Sequence, residues 1–380
     1  MKNKGFSLVE LIVVIAIMAI LVGVAVPVYS SYIEKANKAK DEQLLGEINS
    51  AFAVALAGNA IDINTVTEAD IPVNDGVVNL AGMTVNGVEN AAIENAMIGI
   101  LGTDLEFAVI EDIFYNENTH KFEENADIEI AYGDSTITLS AKDVAALMNS
   151  TFGEKVGIEG LLDKLGNVTG YAAGIDSTAL NIVLGSDGFQ LSAAIALGLN
   201  PEDDDIALQL DAKLDELANE LYAKGGYASV ADAEKQVMAN AAVLYAAQNT
   251  TSMNAADITN WLSNDGAKEE IIDNLGNGAT TGTALSQAAL AYGMYTAYAN
   301  YYNDADALSK TPVQALGDLD NEKFQAYMAS EQGQKDLEGY LSAMNMINGA
   351  TGDPEAVGKL MVNGYTDDEF KGALNGALGN

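Results

Sequence analysis

The chain has 380 residues, with 18 Lys and no Arg against 55 Asp+Glu, one His and no Cys, for a formal net charge of -37. That balance repels phosphate and excludes nucleic-acid binding, and the missing cysteines exclude disulfides, thiol catalysis and cysteine-held zinc. Hydrophobic residues at 49% are enough for a sizeable core, so the chain is not a polar disordered one.

Charge is divided unevenly. Residues 1–40 hold Lys2, Lys4, Lys35, Lys38 and Lys40 against Glu10 and Glu34, whereas residues 41–380 carry 13 lysines against 53 acids. After the basic opening MKNKG comes an apolar run from Phe6 to Tyr29, 24 residues long. As a helix it measures about 36 Å, enough for a hydrocarbon core of about 30 Å. Lys2 and Lys4 place its N-terminus in the cytoplasm by the positive-inside bias. A secretory signal has its small-residue cleavage site after the apolar region. Here Gly5 precedes it, and Glu10 puts an acid inside the helix, where a charge needs a partner.

Gly5-Phe6-Ser7-Leu8-Val9-Glu10 followed by a spanning run resembles the prepilin-type cleavage and methylation signal of the type IV pilin and pseudopilin family. The resemblance covers about residues 1–58. It implies cleavage after Gly5 by a prepilin peptidase, N-methylation of Phe6, and pairing of Glu10 with the terminal amine of a neighbouring subunit. An amine and a carboxylate stranded together in an apolar core neutralise each other. Pro27 falls where many pilins have a helix-bending proline; it removes one backbone donor. The implied partners are further copies of the chain, other pilins, the prepilin peptidase, the assembly machinery and, before assembly, the membrane. The cysteine-closed loop common in the family has no counterpart here.

The helix is expected to continue. Leu44, Ile48, Phe52 and Leu56 recur every four residues beside Ala51 and Ala55, and Gly58-Asn59 reads as a stop. From Phe6 to Ala57 such a helix measures about 78 Å. Beyond it, Gly76–Leu80 and Met83–Val85 are strand-like, and Asp127–Ser140 predicts a hairpin about Gly133-Asp134. A second hairpin is expected to pair Asn181–Leu184 with Phe189–Ser192.

From about residue 200 the pattern is helical. Asn200-Pro201-Glu202-Asp203 reads as a helix start, Ser229 with Asp232 as a capping box, Thr283–Leu308 as one long helix, and Thr366 with Glu369 as a final cap. The fold class is therefore α+β. A long N-terminal transmembrane and amphipathic helix packs on a globular head, which has a small antiparallel sheet and a largely helical C-terminal region. The segments are a leader at 1–5, a membrane and filament-core helix at 6–29, its amphipathic continuation at 30–58, a mixed head at 59–200 and a helical extension at 201–380.

No constellation points to catalysis. Glu202-Asp203-Asp204-Asp205 lacks the alternating pattern of a calcium loop and reads as helix-start chemistry, so no cofactor is expected and calcium has no motif behind it. Tyr292, Tyr295, Tyr298, Tyr301 and Tyr302 form a near-helical stripe, read as a packing face with hydroxyls at its rim. His120 stands in a polar loop without a second His. The function read from the sequence is a non-enzymatic subunit of a pilus-like filament. It is stored in the plasma membrane with its head outside and then assembled at the cell surface, with a large head that favours a minor or adhesive role. The alternative is a ligand-binding module, or a secretion pseudopilin, displayed by the same N-terminal signal.

Overall fold

The computed structural model describes residues 8–133, 135–151, 187–250, 255–264, 266–271, 281–349, 352–364 and 368–377; for 8–31 it gives the backbone alone. The chain divides into two compact units, Met1–Ala126 and Asp127–Asn380, so residue 200, the expected boundary, lies inside the second unit.

The first unit begins with α1, Leu8–Gly58, a single helix of 51 residues that is unbroken at Pro27. It is followed by β1 (Ala69–Asp70), β2 (Val73–Asn74), β3 (Val77–Val78), β4 (Thr84–Val85), β5 (Val88–Glu89), α2 (Ala91–Leu101), β6 (Ile113–Asn116) and β7 (Lys121–Glu124). All pairings are antiparallel: β1-β4-β5 form a three-stranded sheet, and β2-β3 and β6-β7 form hairpins. Two turns use the residues that left-handed backbone demands. Asp75 and Gly76 take φ of 49° and 81° between β2 and β3, and Asn86 and Gly87 take 51° and 70° between β4 and β5.

The predicted stripe on α1 is the heart of this unit. Ile48, Ala51, Phe52, Ala55 and Leu56 are buried with Leu44 packed beside them, against Met83, Ile93, Met97 and Phe122. Phe52, Tyr115 and Phe122 meet edge to face, with Phe52 and Phe122 centroids 5.2 Å apart.

The second unit opens with β8 (Asp127–Tyr132) and β9 (Ser135–Ser140), the predicted hairpin, paired from Asp127↔Ser140 to Tyr132↔Ser135. Helices follow: α3 (Ala141–Asn149), α4 (Asp187–Ala196), α5 (Ile206–Lys224), α6 (Val230–Thr250), α7 (Ala255–Leu262) and α8 (Thr281–Tyr301). The remainder comprises α9 (Ala305–Ser309), α10 (Pro312–Gly317), α11 (Glu322–Met328), α12 (Glu331–Gly349), α13 (Pro354–Asn363) and α14 (Asp368–Ala377). Val237, Ala241 and Leu244 of α6, Leu290, Met294 and Ala297 of α8, and Leu337, Tyr340 and Met344 of α12 are buried in one core.

Three expectations are corrected. Phe189–Ser192 is helical, within α4, because Phe189, Ala193, Ala196 and Leu197 bury one face at helical spacing; its proposed partner Asn181–Leu184 lies outside the described residues. The helix after Pro201 starts at Ile206, since the Asn200 side chain first closes a turn by accepting from the Glu202 N–H. The long Tyr-rich helix stops at Tyr301: Asn303 turns to φ 51° and the Asp304 N–H donates back to the Ala299 carbonyl at 2.8 Å. Ser229 caps α6 as predicted, accepting from the Asp232 N–H and donating to its carboxylate. The terminal helix is present, although Thr366 lies outside the described residues. Among the described residues no helix is long and apolar enough to cross a membrane. The Phe6–Tyr29 run lies outside those with described side chains.

Candidate functional site

The site predicted from sequence is the leading half of α1. Gly5 and Phe6 lie outside the described residues. Glu10 and Pro27 stand on the helical backbone of α1, their side chains outside the description. Glu10 and Pro27 are thus carried on the same continuous rod whose second half is seated in the head.

That seat is held by two polar contacts besides the apolar stripe. Asp41 is fully buried, and its carboxylate accepts from three successive backbone N–H groups: Ala108 at 2.8 Å, Val109 at 2.7 Å and Ile110 at 3.0 Å. Burial pushes the Asp41 pKa up, while the three backbone donors and the neighbouring Lys40 charge pull it down; the net shift is downward. Eight residues on, Asn49 pairs with the backbone of Phe122 in both directions. Its Oδ1 accepts from the Phe122 N–H at 2.6 Å and its Nδ2 donates to the Phe122 carbonyl at 2.8 Å. An amide paired this way extends the edge of β7 as another backbone would. Burial and the Glu117 charge push the adjoining Tyr115 hydroxyl up to about 12.

Neither Asp41 nor Asn49 carries a local sequence signal. Their partners are 67 and 73 residues away. The one trace is an acid at position 41, just ahead of the apolar stripe that starts at Leu44.

The other residues singled out from sequence fall elsewhere. His120 ends the β6–β7 turn at φ 53°, its Nδ1 3.4 Å from the Tyr115 hydroxyl. Asp203 and Asp205 accept from the Gln209 amide at 3.2 and 2.7 Å, and among the described residues no group of three His, Asp or Glu could hold a metal ion. Tyr292, Tyr295 and Tyr298 are buried, whereas Tyr301 and Tyr302 are exposed at the rim. The stripe packs on Phe324 and Tyr327, with Tyr295 hydrogen-bonded to Asp318 and Lys310. Its packing reading holds.

A family model, the prokaryotic N-terminal methylation motif, matches residues 1–26. The chain is 42% identical over 55 residues to the type IV narrow pilus major component PilA5 of Thermus thermophilus, covering 14% of this chain and 47% of that protein. It is 39% identical over 84 residues to prepilin peptidase-dependent protein A of Clostridium perfringens, covering 22% and 59%. It is also 34% identical over 112 residues to fimbrial protein EcpC of Eikenella corrodens, covering 27% of this chain and 72% of that one. The chain thus spans about half of the first relative and under two thirds of the second. No solved structure matches.

Proposed function

The chain belongs to the family of type IV pilins and related fimbrial proteins, and on that premise we propose that it is a self-assembling subunit of a cell-surface filament. One observation carries the reading. The methylation motif at residues 1–26 leads into a helix that runs unbroken from Leu8 to Gly58 and is anchored in a head by its second half. A continuous helix whose second half is locked in the head carries register from core to surface.

In this reading a prepilin peptidase cuts after Gly5, and Phe6 becomes the methylated terminus. The apolar run holds the precursor in the plasma membrane with the head outside, and then forms the filament core. Glu10 pairs with the Phe6 amine of a neighbour and so sets the axial register. Both groups are stranded away from water, and removing one leaves the other uncompensated, at a cost of about 3–5 kcal/mol. Pro27 leaves one carbonyl of the rod without its helical donor, a point of compliance during extraction from the bilayer. The family is structural rather than enzymatic, and the chain's work is to bind copies of itself. The head, far larger than the matched part, is displayed outward, which suits a minor or adhesive subunit.

Glu10→Ala tests the pairing. The variant should insert in membranes at wild-type levels but give few or no sheared filaments. Normal filaments from it would sink the pairing.

A further inference from the structure

Three features of α1 are not needed for its packing among the described residues. Gly46 stands in mid-helix, where glycine is the poorest former after proline. It takes no left-handed conformation, and open space surrounds the position a Cβ would occupy, so nothing among the described residues demands its small size. Beside it a groove of about 440 Å³ runs between α1 and α2, lined by Gly46, Glu47 and Ser50 and by Val54 and Ile100, which are 60% and 52% exposed. Upstream, Tyr32, Lys35, Ala36 and Ala39 are exposed and share one face by their helical spacing, Tyr32 at 67%.

The two surfaces match. Gln43, Gly46, Glu47, Ser50 and Val54 form a stripe with the same spacing as Tyr32, Lys35, Ala36 and Ala39. One stripe carries an acid, Glu47, which accepts from the Gln43 amide at 2.9 Å, and the other a cation, Lys35; the remaining positions are small, aliphatic or aromatic. Residues 41–126 hold 16 acids against Lys121 alone. Two such heads repel each other, whereas a head and the Lys35–Lys40 turn attract.

We propose that the Tyr32–Ala39 turns of one copy lie parallel along the Gln43–Val54 groove of a second copy, with Lys35 facing Glu47 and Tyr32 lying over Gly46 and Gln43. This deepens, and rests on, the filament reading above. Lys35 and Glu47 are 12 residues apart, which sets a stagger of about 18 Å between the two copies. Pairing of Phe6 with Glu10 sets about 6 Å, so the two contacts reach different neighbours. Different surfaces meet on the two copies, so the contact is heterologous and propagates rather than closes.

The absence of native cysteine makes the test clean. In Lys35→Cys/Glu47→Cys the two thiols of one helix stand about 18 Å apart, beyond the limit of about 7 Å between bridged Cα atoms, so any disulfide joins two copies. Oxidised filaments of the double variant should run as a covalent ladder on a non-reducing gel, while either single variant gives dimers at most. Double-variant filaments without species above the single-variant dimer would overturn the contact and leave the filament reading standing. If the wild type forms no filament, that reading falls and this contact with it. If only the double variant fails to assemble, Gly46→Leu decides. It should keep wild-type circular dichroism and melt no lower than the wild type yet lose filaments, and normal filaments from it would overturn the contact.

Discussion

Asp41 is the residue whose removal should most directly unseat α1 from the head. Its carboxylate serves the Ala108, Val109 and Ile110 N–H groups at 2.7–3.0 Å with no exposure to water. Asp41→Ala leaves those donors without an acceptor. Ile110 is buried, and its unsatisfied donor costs about 1–3 kcal/mol, whereas Ala108 and Val109 are exposed and their N–H groups regain water at a smaller cost, so a net of about 2–4 kcal/mol is expected. That is a large part of a domain stability of about 5–15 kcal/mol.

Hydrogen exchange in the full chain in detergent reads the three amides themselves. Their protection should fall at least about tenfold, since each 1.4 kcal/mol is about tenfold. The contact has a defined pH dependence. The folded pKa lies below the ordinary aspartate value, so the stabilisation is fully present above that value and is lost as pH falls through the lower folded one. The wild type should therefore lose protection at 108–110 only below about pH 4, whereas Asp41→Ala shows no such step. Unchanged protection in Asp41→Ala would show that the carboxylate does not hold residues 108–110.

Asn49→Leu removes both bonds to Phe122 and strands its backbone groups. Thermal melting should report a loss of about 2–4 kcal/mol, and a loss below 0.5 kcal/mol would show that water replaces the amide. Gly293→Ala puts a methyl into the buried Tyr340 ring between α8 and α12, and should lower stability by about 1–3 kcal/mol even though alanine favours helix. Tyr327→Phe takes one donor from Asp336, which is fully buried and keeps the Thr151 N–H at 2.6 Å and the Gln332 amide at 3.1 Å. Urea unfolding should show a loss of about 1–3 kcal/mol.

What could be read from sequence was local. The four-residue spacing of Leu44, Ile48, Phe52 and Leu56 marks the buried face of α1 because a helix repeats its faces at that period. The 127–140 hairpin shows through alternation about a glycine turn. The Asp75-Gly76 and Asn86-Gly87 turns carry an equally strong hairpin signal, although the strands they join are only two residues long. The β6–β7 hairpin was hidden because Glu117–His120 is polar without glycine. Phe189–Ser192 misled because a four-residue apolar run has no period to distinguish strand from helix. The Asp41 and Asn49 contacts were beyond reach for another reason. Each joins a side chain to backbone groups far along the chain, and the identity of those residues is immaterial to an N–H or carbonyl.

The proposed function requires both a processed N-terminus and a polymer. Mass spectrometry of filaments sheared from the native cells addresses both at once. The expected chain begins at N-methylated Phe6 and is found in the sedimenting fraction. A chain that still begins at Met1 and occurs only in membranes would contradict that function.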